Sequence, residues 1–356
     1  MKLADWSLHF YRLPYLREVL WSNAREDSGL YALLVLTGND GTRGIAEGTI
    51  KATWSGVSPR SLRAALEEVV LPLVSQVDLL DEKKIHAALS RIPENRLAKA
   101  LVDNACWTLR AAAAGRPLWQ LFDGRAEADL CWTVTRAQPS AMAAEAAHYC
   151  GRHGFRTLKV KGGQGVDTDL RALAGIRAAV GPQVALYVDA NSAYPRAEAL
   201  EYVRRIAEAG ARVAEDPCPL LPDAAFEKLQ QACAIPVLVD SSCASVRDAE
   251  LYLARGARAV SLKPGRIGFS ECRQIQQRAE AAGQSTAVGI YAESALGTLI
   301  NLQLGAPMAA EQSFFLILKE QVTPGVPAIS DGVLRLPETP DLHSLVDWDA
   351  VKRFAA

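Results

Sequence analysis

The sequence predicts an α/β barrel joined to a smaller α+β lobe, and three observations lead there. From about residue 130 onward, short apolar strands alternate with amphipathic helices, the pattern of a parallel βα repeat. Gly154-Phe-Arg156, Gly210-Ala-Arg212 and Gly256-Ala-Arg258 recur as glycines that end one helix and feed the next strand. Charged side chains then stand at the ends of successive strands, which is where a (β/α) barrel gathers its chemistry.

In chain order, residues 6–11, 30–37 and 44–50 read as strands of a small antiparallel sheet, the last two joined by the turn Gly38-Asn-Asp-Gly41. Helical patterns follow at 61–74, 82–91 and 95–114, the third stopped by Gly115-Arg-Pro117. Strands are then expected at 130–135, 157–161, 184–189, 211–215, 236–240, 257–263, 286–290 and 313–318, with helices such as 140–152 and 168–179 between them. No Gly-x-Gly-x-x-Gly follows a first strand, so a closed barrel is favoured over an open dinucleotide-binding sheet. Gly162-Gly-Gln-Gly165 alone is a flexible turn rather than a phosphate loop. The tail from residue 326 reads as a strand and turns that return to cover the first lobe. The expected division is a cap at 1–125, a barrel at 126–325 and a returning tail at 326–356.

Composition excludes several classes of function. With 356 residues, 49% of them hydrophobic, and a net charge of −1, the chain has a large core and none of the basic field of a nucleic-acid binder. No stretch reaches the roughly 18 uncharged apolar residues of a membrane span, so a cytoplasmic protein with neither membrane nor nucleic-acid partners is expected. Seven scattered cysteines without a Cys-x-x-Cys pair indicate buried thiols, not a disulfide framework or zinc site.

The candidate site is Lys159, Lys161, Asp189 with Asn191, Glu215, Asp240, Lys263, Glu293 and Glu311. Strand alternation puts Lys159 and Lys161 on one face, opposite Leu158 and Val160. Counted from the three repeat glycines, Lys159, Glu215 and Ser261 fall at one level, and Lys161, Pro217 and Lys263 at the next. Converging carboxylates repel one another in a partly dry mouth, and a hard divalent cation, Mg²⁺ or Mn²⁺ in its place, removes that cost. Lysines from the second and sixth strands would flank such an ion from opposite sides, where either can take or return a proton at a substrate carbon. Taken singly, Asp189-Ala-Asn-Ser192 and Asp240-Ser-Ser242 also suit helix N-caps, Glu215-Asp-Pro217 a solvated turn, and Glu293 a helix N-terminus. Their joint placement favours a site. His9, His86, His148, His153 and His343 lie away from the catalytic strand ends and read as structural.

In this order the motifs resemble the enolase superfamily, and within it the muconate-lactonizing-enzyme subgroup usually grouped with mandelate racemase. The resemblance spans essentially the whole chain and rests on Lys159-Val-Lys161, Asp189-Ala-Asn191, Glu215, Asp240, Lys263 and Glu293-Ser-Ala-Leu-Gly297. It implies a (β/α)7β barrel under an α+β cap, and Mg²⁺ on Asp189, Glu215 and Asp240. It also implies Lys161 and Lys263 as the acid–base pair and Lys159 as an auxiliary lysine that tunes Lys161 and helps hold the substrate carboxylate. The implied activity is a racemase, epimerase or cycloisomerase acting on a small carboxylate in a homo-oligomer. A lyase using the same enolate, a Schiff-base aldolase at Lys161 or Lys263, and a non-catalytic barrel are the alternatives. Gly289-Ile-Tyr291 on the seventh strand lacks the His/Asp dyad of sugar-acid dehydratases, and Glu311-Gln-Ser313 is closer to cycloisomerases than to the Asp-x-Asp of dipeptide epimerases. Ser241 after Asp240, where a Glu is common, and Pro264-Gly-Arg266 after Lys263, where a Gly pair is frequent, bear on the substrate. Specificity is expected from cap loops at 21–27 and 51–56, with Trp21, Arg25 and Trp54 as its candidates.

Overall fold

The computed structural model describes residues 1–21 and 24–356. Ser22 and Asn23, in the expected loop at 21–27, lie outside the described residues. The chain opens with three antiparallel strands in the order β1 (Leu3–Leu20), β2 (Arg25–Gly38) and β3 (Arg43–Thr49). β2 is apolar without alternation because both of its faces are covered. Tyr31, Leu33 and Val35 join the barrel core, while Ala32, Leu34 and Leu36 pack under the cap helices. Those helices are a run over residues 59–74 whose middle, Leu66–Val70, widens to a π-helix, then α1 (Glu82–Ser90) and α2 (Arg96–Ala114). Asp81 caps α1 by accepting from the Lys84 N–H, and Gly115, left-handed at φ 61°, ends α2 as expected.

The second lobe begins with β4 (Glu127–Asp129) and β5 (Trp132–Val134), and continues α3 (Pro139–His153), β6 (Thr157–Lys161), α4 (Val166–Val180), β7 (Ala185–Asp189) and α5 (Ala199–Glu208). Next come β8 (Ala211–Glu215), α6 (Ala224–Ala232), β9 (Val237–Val239), α7 (Val246–Ala254), β10 (Ala259–Leu262), α8 (Phe269–Ala281), β11 (Ser285–Val288) and α9 (Ala295–Asn301). β5 to β11 form one parallel sheet in sequence order. Gly154, Gly210 and Gly256 hold φ of 70°, 91° and 80°, the left-handed conformation that turns each helix into the next strand.

The expected eighth strand at 313–318 is instead a 3₁₀ turn, Phe314–Ile317. Ser313 Oγ donates to the Cys131 carbonyl at the start of this turn, and Phe314, Phe315 and Ile317 are buried within it. The sheet edges meet through residues just before it. Met308 and Glu311 N–H donate to Thr286 and Val288 carbonyls on one side, while Ala310 donates to the Asp129 carbonyl and accepts from the Cys131 N–H on the other.

Register corrects the level count as well. Lys161 pairs with Asp189 and Asp189 with Glu215, so Glu215 stands level with Lys161 and not with Lys159. The offset is present where the strands begin, since Leu158 lines up through Leu186 with Ala211, which directly follows Gly210, whereas Leu158 lies four residues past Gly154.

The tail forms β12 (Ile329–Ser330), which pairs with β13 (Val333–Arg335), itself paired with β4, and α10 (Trp348–Arg353), after which Arg12 N–H donates to the Phe354 carbonyl and Ala356 N–H to the Phe10 carbonyl. The tail also meets the first lobe where the 3₁₀ turn Leu342–Leu345 packs on β3 and Trp348 meets His9 at 5.2 Å. Six of the seven cysteines are buried and Cys150 is half-buried, and none is bridged. No helix among the described residues is long and apolar enough to cross a membrane.

Close packing of β3 on α2 locks the cap together. A Cβ at Gly44 would lie 2.1 Å from the Ala105 carbonyl oxygen and 2.5 Å from Leu109 Cβ. Gly44→Ala is therefore expected to lower unfolding stability by about 1–3 kcal/mol in urea denaturation. Gly151→Ala, whose new methyl meets nothing within 4 Å inside α3, is expected to raise it by about 0.5–1 kcal/mol.

Candidate acid–base site at the strand ends

The strand alternation that turns Lys159 inward leaves its side chain 1% exposed. Its Nζ lies 2.7 Å from both carboxylate oxygens of Glu215 and from Glu311 Oε2, and 3.1 Å from Asp189 Oδ2. Burial alone pushes the ammonium toward neutrality, but Asp189, Glu215 and Glu311 outweigh it and hold Lys159 firmly charged. Glu311 is completed by the Tyr187 hydroxyl at 2.6 Å and the Ile290 N–H at 3.1 Å. Burial and the negative charges of Asp189 and Glu311 push the Glu215 carboxyl well above its ordinary range, with Lys159 pulling the other way.

One level up, Lys161 donates to Asp189 at 2.5 Å and to Asn191 Oδ1 at 3.3 Å. Asp189 in turn accepts from the Asn191 backbone N–H at 2.8 Å, and Asn191 and Ser192 take left-handed φ of 49° and 59°. The Asp189 segment is thus a strained turn over the cavity and not a helix cap, since α5 starts ten residues later. Burial raises the Asp189 carboxyl, but the charges of Lys159 and Lys161 overcome it and keep it ionised. On the far side, Lys263 donates to Asp240 Oδ2 at 2.7 Å. Burial again opposes each charge and loses: Asp240 is held low by Lys263 and Lys159, and Lys263 is held high chiefly by Asp240.

Glu215-Asp-Pro217 is no solvated turn. Asp216 is buried at φ 36° and accepts from Asp240 N–H at 3.1 Å, Ser241 N–H at 2.9 Å and Ser241 Oγ at 2.5 Å. Its carboxyl is raised to about 6 by burial and by the charge of Asp240. Ser241 supplies the hydroxyl that fixes this turn. Glu293 does not cap α9 either, because Ser294 does so by accepting from the Leu296 N–H. Glu293 accepts from the Tyr291 N–H and from Asn301 Nδ2, and burial lifts its carboxyl to about 7.

Lys161, Lys263, Asn191 and Asp240 line a cavity of about 350 Å³ that the cap closes with Trp21 and Trp54. The two indoles meet edge to face at 5.1 Å, Trp54 meets Tyr291 at 5.3 Å, and the Lys51 ammonium sits 4.2 Å over Trp21. Glu26 ties these parts by accepting from Trp21 Nε1 and from Lys51. Arg25 is not brought to the cavity. It starts β2, lies exposed and pairs with Glu18 at 3.3 Å on an outer cleft, because residues 25–27 are strand where a loop was expected. Arg136 and Arg266 line the cavity although the sequence singled out neither as a site residue. Arg266 follows Lys263 at a three-residue spacing that signals a shared helical turn, whereas nothing in the sequence marks Arg136.

Among the described residues no three acidic, imidazole or thiol groups converge as a closed metal cage. The carboxylates of Asp189, Glu215 and Asp240 are drawn onto lysine ammoniums. Yet Asp240 Oδ1 is buried without a hydrogen-bond donor, and the set is all oxygen, the donor chemistry of a hard divalent cation. Asp189, Glu215 and Asp240 therefore fit Mg²⁺ chemically.

A parallel sheet whose strand ends carry paired lysines and acids under an aromatic cap defines an acid–base enzyme of the barrel class. Residues 141–346 match the family described as enolase C-terminal domain-like, and residues 21–123 the mandelate racemase / muconate lactonizing enzyme N-terminal domain. The L-Ala-D/L-Glu epimerase of Bacillus subtilis (strain 168) is 30% identical over 318 residues, 86% of this chain and 87% of that one. Muconate lactonizing enzyme from Pseudomonas fluorescens, solved with muconolactone, superposes with a TM-score of 0.90 at 24% identity, covering 100% of this chain and 99% of that one. The dipeptide epimerase from Enterococcus faecalis V583, solved with Mg and L-Leu-L-Tyr, gives 0.87 at 23% over 96% and 99%. These two structures show the fold alone. The chain belongs to the mandelate racemase / muconate lactonizing enzyme family of the enolase superfamily, in its muconate-lactonizing subgroup, and is an enzyme of that superfamily's isomerase and lyase chemistry.

Lys159→Met leaves Glu215 and Glu311 buried without their countercharge, and is expected to cost about 3–5 kcal/mol of unfolding stability near neutral pH. Glu215 already has its carboxyl raised in the folded state, and losing the ammonium raises it further, so folding takes up a proton. The deficit should accordingly shrink from pH 8 to pH 5 in denaturation curves. A deficit that grows on acidification contradicts this assignment.

Proposed function

We propose that the chain removes a proton α to the carboxylate of a small substrate acid and returns one, with Lys161 and Lys263 as the acid–base pair and Asp189, Glu215 and Asp240 as holders of Mg²⁺. The observation that supports this most is the approach of two lysines to one cavity from separated strands. Lys161 ends β6, Lys263 follows β10, and each donates to a different carboxylate, Asp189 or Asp240. Bound at these acids, Mg²⁺ supplies positive charge against the negative charge that proton removal leaves on the substrate carboxylate.

The chain's own residues do the rest. An amine on one lysine takes the proton from one face of the carbon, and the ammonium opposite delivers one to the other face, inverting the centre. Lys159, held by Glu215 and Glu311, stays charged and does not compete as a base. Trp21, Trp54 and Tyr291 wall the cavity and exclude water.

The stretch at 311–313 narrows the substrate. Glu311 is fully engaged by Lys159, Tyr187 and the Ile290 N–H, and Ser313 Oγ by the Cys131 carbonyl. No carboxylate is left there to receive a substrate ammonium. This supports an acid without a free ammonium at that end, such as an N-acylated amino acid or an unsaturated dicarboxylate.

In D₂O with Mg²⁺, proton NMR of N-acyl amino acids and unsaturated dicarboxylates should show α-proton exchange that EDTA abolishes. Lys161→Ala and Lys263→Ala should each lose about 10²–10⁴-fold in exchange, one for each enantiomer. Exchange that persists in EDTA, or that survives loss of both lysines, overturns the proposal. A product lacking water or a β-substituent would place the reaction with the lyases.

A further inference from the structure

Arg136 lies just beyond β5, lines the cavity, and makes no ion pair among the described residues. Its guanidinium is spent on two backbone carbonyls. Nε donates to the Gly162 carbonyl at 2.7 Å and Nη2 to the Ala190 carbonyl at 3.2 Å. Gly162 directly follows Lys161 and Ala190 directly follows Asp189, so one planar fork joins the two turns that present the β6 lysine and the β7 acid.

The same turn is gripped from its other side. Asp169, buried on α4, accepts from the Gly163 N–H at 2.8 Å and the Gln164 N–H at 3.1 Å, and is itself fixed by the hydroxyls of Tyr194 and Tyr202. The fit is tight: a Cβ at Gly163 would lie 2.7 Å from both Arg136 Nη2 and the Ala190 oxygen. Lys263 is set by other contacts and not by Arg136: Arg266 Nη2 donates to the Ser241 carbonyl at 3.3 Å, and Asn104 Nδ2 of α2 donates to the Pro264 carbonyl.

We infer that Arg136 is a positioning residue that sets Lys161 and Asp189 relative to one another, and thereby serves one face of the substrate carbon and not the other. The inference rests on the two-lysine function proposed above for its kinetic consequence, but not for its structural one. An error of about 1 Å in a reacting group costs on the order of 100-fold in rate. Loss of the fork therefore slows the Lys161 face selectively.

Two measurements on the full chain test this. Hydrogen–deuterium exchange by mass spectrometry should show faster exchange of peptides covering 162–165 and 190–192 in Arg136→Met than in the parent chain, with 263–268 unchanged. In α-proton exchange, the enantiomer that depends on Lys161 should slow about 100-fold while the one that depends on Lys263 stays within about threefold and KM moves little. Arg136→Lys keeps the charge but cannot span both carbonyls, and should behave like Arg136→Met. Unchanged exchange at 162–165, an equal fall on both faces, or full rescue by lysine each overturns the inference. If the parent chain exchanges neither enantiomer, the proposed function fails while the backbone exchange still decides the clamp.

Discussion

The Lys159 ammonium is the interaction on which the remainder of the barrel mouth depends. Glu215, Glu311 and Asp189 come from β8, from the segment that joins the sheet edges, and from β7, and all three close on one nitrogen. Without it three buried carboxylates would share a dry volume, at a cost of about 3–5 kcal/mol. With it, Glu311 is pinned where it can also accept from Tyr187 and Ile290, and the ends of the curled sheet are drawn together around a charge. The lysine least suited to move a proton is the one that lets the others do so.

Around that centre the acids are presented by backbone that ordinary residues avoid. Asn191, Ser192, Asp216 and Ala292 all hold positive φ, and each lies within three residues of a carboxylate of the site. Hydrogen bonds meet the cost of these conformations locally: Asp189 to the Asn191 N–H, Asp216 to the Asp240 and Ser241 N–H groups. The strained turns aim side chains inward that a relaxed strand-to-helix connection would leave pointing along the sheet.

Much of this was legible in the chain itself. Period-two alternation put Lys159 and Lys161 on one face, and the three repeat glycines located β6, β8 and β10. Level was not legible, because the number of residues between each glycine and the first paired position of its strand differs between β6 and β8, and pairing alone sets it. The segment 313–318 looked like a strand because Phe314, Phe315, Leu316 and Ile317 are an apolar run, and local propensity cannot tell a buried 3₁₀ turn from a strand. Arg25 looked like a lid residue only while 25–27 was taken as a loop. Arg136 escaped notice for a different reason: its partners are carbonyls, which every residue possesses, so no sequence pattern announces them.

The grip of α2 on the segment after Lys263 has a wider meaning. Asp103 accepts from Ser270 N–H and Oγ, Asn104 both donates to Pro264 and accepts from the Phe269 N–H, and Trp107 Nε1 donates to Ser270. A helix of the cap thus holds the loop that carries a barrel lysine. The two lobes are consequently not interchangeable parts: grafting a relative's cap onto this barrel to import its substrate preference would also replace the mould in which the sixth-strand lysine is set. Recombination between such chains has to carry residues 103–107 and 264–270 as one inherited block, however far apart they lie in the gene.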